Sequence, residues 1–570
     1  MYTLGLWDGH DSGAALIQDD KIIFASNEER YTKRKLEVKF PKMAIAAALQ
    51  HAGIKPTDIE AVAYPTTEFT KTMSRIFPFQ KETYYKFRRR KMLKPRTESL
   101  MHYMKYGMTS IGVLPGCESI STYLVSRELK RMGFANFKID AIEHHAAHAA
   151  TAAFTSGMKK SLTITMDGLG DGLSGTVNLF DNGTLKRLHS TKARDSLGIF
   201  YEQVTNILGM RELEDEGKIM AMADYSFPFD FKDNKLKDFF ELKGLELKAK
   251  YGPISQYNLL SRISWATPRE QFAYMSQQIL EEILVQYVSN AIDEYGIDSL
   301  AFAGGLMSNI KANMLIRQLP KLKEWYVFPH MGDGGIALGA AMYSNYERND
   351  VSAYRFTDSY LGDSFDQDRI KVALERETGI AFEEEASDKA SHAAEIINED
   401  NYLLWFQGRM EYGPRALGNR SILANAGSDT AKEKLNMFVK QREWFQPFAP
   451  SMLVEEAPNL LEDVKGTDRF MTMGYKAKDS RKDILRSVVH VDNTARPQMV
   501  GLENPMYRDL LKKIKGYTGY GVVLNTSFNI HGMPIVQSPE DALLTLKKTR
   551  SRHMFLGDFY VENKDAPGAK

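Results

Sequence analysis

Short apolar runs, each closed by aspartate and glycine, open the chain. Tyr2-Thr-Leu-Gly-Leu-Trp7 reads as a strand ending in Asp8-Gly9, followed by His10-Asp-Ser-Gly13, a second run (Ala14 to Ile17), an Asp19-Asp20 turn and a third run (Lys21 to Ala25). The same order returns at Leu162-Thr-Ile-Thr-Met-Asp-Gly, with Leu-Gly-Asp-Gly as the loop, then Gly175 to Phe180, an Asp181-Asn182-Gly183 turn, and Thr184 to Leu188. Strands separated by these turn formers are hairpins. Their repetition predicts an α/β core built from two similar halves. Two further glycine loops follow apolar runs, Phe302-Ala-Gly-Gly-Leu-Met-Ser-Asn309 and Met331-Gly-Asp-Gly-Gly335.

Between the two meanders the period changes. Ala141-Ile-Glu-His-His-Ala-Ala-His-Ala-Ala150 is rich in alanine, the strongest helix former. On a helix His144 and His148 lie one turn apart on one face, within reach of one metal ion, while His145 is off that face and is expected to be structural or to support a ligand from behind. Asp167 and Asp333, at the glycine loops, are the candidate carboxylate ligands. Loop glycines such as Gly168, Gly170, Gly304 and Gly305 let backbone N–H groups approach a phosphate, and Asp8 is expected beside Asp167 where a metal would meet it.

Composition narrows the chemistry. The chain has 570 residues, too many for one core, so at least two domains are expected. The boundary is placed in the polar, turn-rich stretch 345–365, giving domains 1–350 and 360–570. Segments 66–115 and 225–265 fit no loop of the core and read as insertions shaping a substrate pocket; the tail from Asn563 reads as frayed. A formal net charge of +1 excludes a globally electrostatic nucleic-acid binder. The single cysteine, Cys117, excludes a disulfide framework, a thiolate zinc site and an iron–sulfur cluster. No signal-peptide layout and no apolar run of roughly 18–20 residues is present, so a cytoplasmic protein without a membrane span is expected. The one strong basic run, Lys86 to Arg96 beside Tyr84 and Tyr85, reads as a solvated helix face, with phosphate contact as the alternative.

In the second half, residues 401–451 concentrate Arg409, Arg415, Arg420, Lys440 and Arg442 around Gly and Pro turns, with Arg496 further on. Converging guanidinium groups suit a site that must neutralise several phosphate charges.

These motifs together resemble one family. Glu143-His-His-Ala-Ala-His-Ala, Met166-Asp-Gly-Leu-Gly-Asp-Gly, Glu216-Gly-Lys-Ile-Met, Gly304-Gly-Leu-Met-Ser-Asn and Gly332-Asp-Gly-Gly resemble the carbamoyltransferases of the NodU/CmcH/TobZ group. So do Gly408-Arg-Met-Glu-Tyr-Gly-Pro-Arg-Ala-Leu-Gly-Asn-Arg-Ser421, Pro447-Phe-Ala-Pro-Ser451 and Leu524-Asn-Thr-Ser-Phe-Asn529. The resemblance implies a duplicated actin/hexokinase-like (ribonuclease H-like) ATPase core, similar to tRNA threonylcarbamoyl-transfer enzymes, followed by a YrdC-like α/β domain. It implies that the second domain makes carbamoyl-adenylate from carbamoyl phosphate and ATP, and that the first transfers the carbamoyl group to a small-molecule hydroxyl, as in natural-product biosynthesis. It implies His144, His148, Asp167 and Asp333 as ligands of iron(II), a donor set that suits manganese or zinc equally; magnesium could accompany ATP. Asp8, His10 and Lys35 fall at positions tied to nucleotide and acceptor. Lys218 and Asn309, with Gly168, Gly170, Gly304 and Gly305, are the nucleotide candidates. Arg415, Lys440, Arg442, Arg496, Ser527 and Asn529 are the substrate candidates of the second domain. The chain departs from the family at Gln446, where arginine is common, and after Asn529, where Ile530 and His531 replace a charged residue.

His10 is the expected general base for the acceptor hydroxyl. A water-restricted passage shared by the two sites would protect the labile adenylate. The rival readings are a tRNA-modifying enzyme and an actin-like small-molecule kinase. The hydrogenase-maturation carbamoyltransferase, with its cysteine zinc motifs, is excluded by the lone cysteine. Nucleic acid is not expected as a partner, and self-association is left open.

Overall fold

The computed structural model describes residues 1–89, 107, 111–385 and 387–567. The chain divides into two compact units, one of residues 1–28 and 36–356, the other of Glu29–Lys35 and Thr357–Lys570. The division after Phe356 falls inside the polar stretch 345–365. That Glu29–Lys35 belongs with the second unit was not legible in the sequence.

The first unit repeats one sheet. In its first half β1 (Tyr2–Trp7), β2 (Gly13–Gln18), β3 (Lys21–Asn27), β4 (Ala61–Pro65) and β5 (Lys138–Ile142) run in the order β3-β2-β1-β4-β5. The first three strands form an antiparallel meander, and β4 and β5 join in parallel. In the second half β6 (Lys160–Gly170), β7 (Leu173–Asp181) and β8 (Thr184–Lys192) form the same meander. After a separate two-stranded sheet of β9 (Phe240–Lys243) and β10 (Glu246–Ala249), β11 (Ser299–Ala303) and β12 (Glu324–Val327) add in parallel, giving β12-β11-β6-β7-β8. Two five-stranded sheets of identical topology make this a duplicated ribonuclease H-like core of the actin and hexokinase kind. One detail differs from the sequence reading: β6 runs on through Asp167 to Gly170, with irregular pairing between Met166 and Gly170. Such an irregularity re-aims side chains, and Asp167 sits on it.

Helices His144–Thr155 and Ile336–Asn349 pack beside these sheets, and small residues let them approach closely. A Cβ on Gly5 would overlap Ala337 O, and one on Gly339 would overlap Ala147 O. Trp7, Ala63, Ile142, Ala146, Ala147, Ile336, Ala337 and Ala340 form one buried cluster there.

The second unit is an α/β domain whose mixed sheet joins β13 (Ile380–Glu384), β14 (Leu403–Phe406), β15 (Arg420–Asn425), β16 (Ala449–Leu453), β19 (Gln498–Val500), β20 (Val522–Ser527), β21 (His553–Leu556) and β22 (Phe559–Asn563). Their order is β13-β22-β21-β14-β15-β20-β16-β19, with β17 (Tyr475–Lys476) and β18 (Thr494–Ala495) pairing separately. Helices Lys389–Asn398 and Pro505–Thr518 cover it through Ala393, Ile397, Leu510 and Ile514 against Leu403, Trp405 and Leu423.

Three expectations need correction. Asn563 is not frayed: it ends β22 and is buried, as is Ala566. The described part of the basic run, Lys86 to Arg89, is not simply a solvated face: Arg88 pairs with Glu202 (3.3 Å) and Glu212 (3.8 Å), and Arg89 with Glu214. The rest of that run, 90–96, lies outside the described residues. Arg409 and Arg420 do not join the other arginines of 401–451: Arg409 donates to the carbonyls of Leu361 and Gly362, and Arg420 to those of Asn419 and Gly408. Backbone carbonyls take up much of the donor capacity of those two guanidinium groups. No helix among the described residues is long and apolar enough to cross a membrane.

Candidate metal centre and anion site

Helix His144–Thr155 starts where it does because Glu143 caps it, accepting from His145 N (3.1 Å) and Ala146 N (2.8 Å). Asp171 adds a bond to His144 N at 2.8 Å, tying the helix to the loop that follows β6. A third constraint is steric. A Cβ on Gly170 would overlap the His144 ring, so only glycine leaves the imidazole its place.

With the helix so fixed, His144, His148, Asp167 and Asp333 bring one ligand atom each to within 4.8 Å of one another. All four side chains are buried. His144 Nε2 lies 3.3 Å from Asp167 Oδ2 and 3.5 Å from Asp333 Oδ1, and His148 Nε2 lies 3.4 Å from the same Asp333 oxygen. His148 Nε2 is a buried nitrogen without a hydrogen-bond partner. Two imidazoles, one of them with this unpartnered nitrogen, and two carboxylates fit a divalent cation. Gly305 N donates to Asp167 Oδ1 (2.7 Å), which orients that carboxylate. Burial alone would strip the proton from His144, but Asp333 and Asp167 outweigh it and push the group up to about 10. Burial and then the neighbouring His144 push His145 down to about 3, so it is neutral, bonded through Nδ1 to Thr165 (2.8 Å).

His10 joins this centre: its Nε2 lies 3.2 Å from Asp333 Oδ2. Burial lowers it to about 4 despite Asp333, with Arg88 and Lys71 adding to the shift, so the imidazole is neutral. Asp8 does not join it. Its carboxylate is taken by Arg75 Nε (3.1 Å) and Nη2 (2.8 Å) and by Lys81 Nζ (2.9 Å). Burial opposes ionisation there, but Arg75 and then Lys81 hold the group well below the usual carboxylate range. Arg75, Lys81 and the adjacent Lys71 were missed by the sequence reading, because nothing in the insertion marks them as facing the core.

The other nucleotide candidates are placed less openly. Gly304 N donates to Met331 O (2.7 Å), and a Cβ there would overlap the Met166 backbone, so its positive φ (99°) serves close packing. Asn309 caps helix Ile310–Arg317 and exchanges bonds with Gln277 (3.0 and 2.9 Å). Lys218 pairs with Asp215 at 3.2 Å. Gly168 alone faces open space.

In the second unit the predicted cations do converge. Lys440 Nζ donates to Asn529 Oδ1 (2.6 Å) and to Ser527 Oγ (3.2 Å), and Arg442 Nη2 donates to Thr526 (3.1 Å). Burial lowers Lys440, and Arg442 and Lys35 lower it further. Burial lowers Arg415 to about 10, and lowers Arg442 to about 10 with Arg415 adding to it. Burial followed by repulsion from Arg415 and Arg442 holds Arg496 well below its ordinary range, the nearby Asp468 offsetting this only in part. Arg496 Nε has no hydrogen-bond partner. Lys35, Arg415, Lys440, Arg442 and Arg496 thus form a cluster of like charge in which Lys440 is buried and the other four are half-buried. Gln446 is half-buried and His531 exposed.

Comparison with known proteins gives this architecture its context. A family model described as the carbamoyltransferase N-terminus matches residues 3–342, and one described as the carbamoyltransferase C-terminus matches residues 394–563. The chain belongs to the carbamoyltransferase family. Nodulation protein NolNO of Sinorhizobium fredii is 31% identical over 583 residues, 98% of this chain and 79% of that protein. Nodulation protein NolO of Bradyrhizobium diazoefficiens is 33% identical over 437 residues, 75% of this chain and 79% of that protein. An uncharacterized protein of Methanocaldococcus jannaschii is 35% identical over 471 residues, 77% of this chain and 76% of that one. This carbamoyltransferase therefore carries the metal-type cluster in its N-terminal family region and the cation cluster, apart from Lys35, in its C-terminal one.

Proposed function

We propose that the enzyme is an ATP-dependent O-carbamoyltransferase working through carbamoyl-adenylate. The observation that carries this reading is the cation cluster of buried Lys440 with half-buried Arg442, Arg415 and Arg496. So much uncompensated charge is costly unless a polyanion occupies it, and carbamoyl phosphate with ATP is such a load. In balanced form, water cleaves carbamoyl phosphate to carbamate and phosphate, and a carbamate oxygen attacks the α-phosphorus of ATP, releasing pyrophosphate. The acceptor oxygen then attacks the carbamoyl carbon; AMP leaves, and the hydroxyl proton passes to a base.

Asn529 and Ser527 hold the Lys440 ammonium in place, and Arg415, Arg442 and Arg496 bind the phosphate oxygens. This C-terminal unit is read as YrdC-like. In the N-terminal unit His144, His148, Asp167 and Asp333 would hold a divalent metal, iron(II), manganese or zinc, which when bound supplies a Lewis acid for the phosphate and the carbamoyl carbonyl. Gly168, facing open space, is the loop position left for the nucleotide phosphate. Neutral His10, beside Asp333, accepts the hydroxyl proton. Asp8 contributes indirectly, as the anchor of Arg75 and Lys81.

Pyrophosphate exchange into ATP that requires carbamoyl phosphate tests the first step. Its absence from the metal-loaded enzyme would overturn the reading in favour of a kinase. His10→Asn is expected to keep that exchange while transfer falls by about 10²–10⁴-fold.

A further inference from the structure

The two halves of the first unit differ in one link. Between parallel neighbours β11 and β12 the chain needs only residues 304–323, whereas between β4 and β5 it runs through residues 66–137. The duplicated glycine loops serve whatever both halves handle together. The long link serves something only one half meets, and on the reading above that is the acceptor.

This link carries helices Phe69–Ile76 and Phe79–Arg88, and it delivers three cations to one place. Arg75 and Lys81 converge on Asp8, whose side chain is 2% exposed. Arg75 Nη1 also donates to Thr66 O (2.9 Å), and its guanidinium lies over Tyr64 at 4.8 Å, so it is locked. Lys71 is different. Its Nζ stands 4.2 Å above the centre of the Trp7 ring, and among the described residues no carboxylate pairs with it. The nearby Glu68 already accepts from Thr70 (2.7 Å) and from Asp171 N (3.2 Å). The Trp7 ring in turn lies 6.3 Å from both the His10 and the His144 rings, so Lys71 overlooks the metal-type centre across one indole.

Arg75 and Lys81 thus pair with the one carboxylate, Asp8, and half-buried Lys71, held over Trp7 within their field, adds a third positive charge. Burial pushes Lys71 down to about 8; Asp8 counters it, while Lys81 and Arg75 add to it. A cation held this way against an aromatic face is poised to take an anion that brings its own negative charge.

We propose that Lys71, backed by Arg75 and Lys81, is a specificity-determining anion subsite of the acceptor pocket, and that the acceptor is a hydroxyl compound bearing a phosphate or carboxylate group. This rests on the reading of the N-terminal unit as the site of transfer to a hydroxyl. An acceptor whose anion pairs with Lys71 would present its hydroxyl toward His10, whose ring lies 6.3 Å from that of Trp7.

The test uses the full-length, metal-loaded enzyme with carbamoyl phosphate and ATP. Hydroxyl compounds are offered in pairs that differ by one charge: hexose against hexose 6-phosphate, and glycerol against glycerate and glycerol phosphate. In parallel, inorganic phosphate is titrated while tryptophan fluorescence is followed in the wild type, Lys71→Met, Lys71→Arg and Trp7→Phe. The expected result is that the charged member of a pair is preferred by at least about tenfold in kcat/KM, that Lys71→Met removes the preference, and that Lys71→Arg keeps most of it. The part of the phosphate-induced change that Trp7→Phe removes should also be missing in Lys71→Met; any remainder belongs to the cation cluster of the second unit. Preference for neutral or cationic members, or a charge preference that survives Lys71→Met, would overturn the proposal. So would a Lys71→Met defect confined to the KM for ATP, which would assign the subsite to the nucleotide. Carbamoyl-phosphate-dependent pyrophosphate exchange in the wild type is the separate control. If it is absent, the adenylate reading fails, while the phosphate titration still decides whether Lys71 binds an anion.

Discussion

At the scale of single residues, geometry sets the outcome of several substitutions. Gly170 lies against the His144 imidazole, so Gly170→Ala forces that ring to move. Metal affinity is expected to fall about 10–100-fold with the fold retained, read by metal content after dialysis and by circular dichroism. Glu216 is a different case. Burial raises its carboxyl from 4.5 to about 8, with Glu202 and Asp215 adding to the shift, and its Oε1 accepts from Leu213 N (2.6 Å). The folded protein keeps this proton until about pH 8, whereas the unfolded chain loses it near 4.5. Unfolding therefore releases a proton between those values, and this group's contribution to stability falls as pH rises through that window. Glu216→Gln mimics the protonated acid. Urea unfolding of this variant should show a shallower decline between about pH 5 and about pH 8 than the wild type. An unchanged slope would show that Glu216 ionises normally.

At the scale of elements, the helix His144–Thr155 depends on its first turn and on a glycine opposite. Glu143→Ala removes the acceptor for His145 N and Ala146 N, and is expected to cost about 1 kcal/mol in denaturant unfolding. Because His144 is the next residue, metal binding should weaken together with stability. Glu143→Gln, which keeps an acceptor oxygen, should lose less. Gly339→Ala puts a methyl into Ala147 O on the same helix, a backbone clash that no side-chain rotation relieves. It should destabilise the protein by roughly 1–3 kcal/mol. The two variants act on one helix from its end and from its side, and both should lower metal occupancy.

At the scale of the whole molecule, the second unit includes a stitch from the N-terminal region. Arg30 donates to Gly413 O (3.0 Å), Tyr31 to Asp363 (2.7 Å), and Lys33 pairs with Asp541, while Lys35 contributes to the field at Lys440. A fragment of residues 357–570 lacks all four. It should melt at lower temperature and gain less from added phosphate than the intact enzyme, as differential scanning calorimetry would measure. In the intact enzyme, phosphate should raise the melting temperature by relieving repulsion among Arg415, Arg442 and Arg496. Arg496→Met should melt higher than the wild type without phosphate and respond less to it. Chelation, by contrast, should abolish transfer and leave the carbamoyl-phosphate-dependent exchange, since the two clusters draw on different donor chemistry.

Much of this was legible in the chain itself, because it is local. Apolar runs ended by Asp-Gly specify strands and hairpins, alanine density specifies the helix, and a spacing of four residues places His144 and His148 on one face. The repeated meander, read twice, implied the duplicated core. The carboxylates Asp167 and Asp333 could be nominated because glycine loops bring strand ends together. Tertiary structure alone decided which charges meet. Asp8 and Asp167 occupy equivalent places in the two meanders, yet one is neutralised by Arg75 and Lys81 and the other faces two imidazoles. Arg409 and Arg415 stand close together in one motif, yet one is spent on carbonyls and the other faces Arg442 and Arg496. Periodicity governs which way a side chain points from its own element. Its partner comes from a segment tens or hundreds of residues away, and only packing brings that segment near.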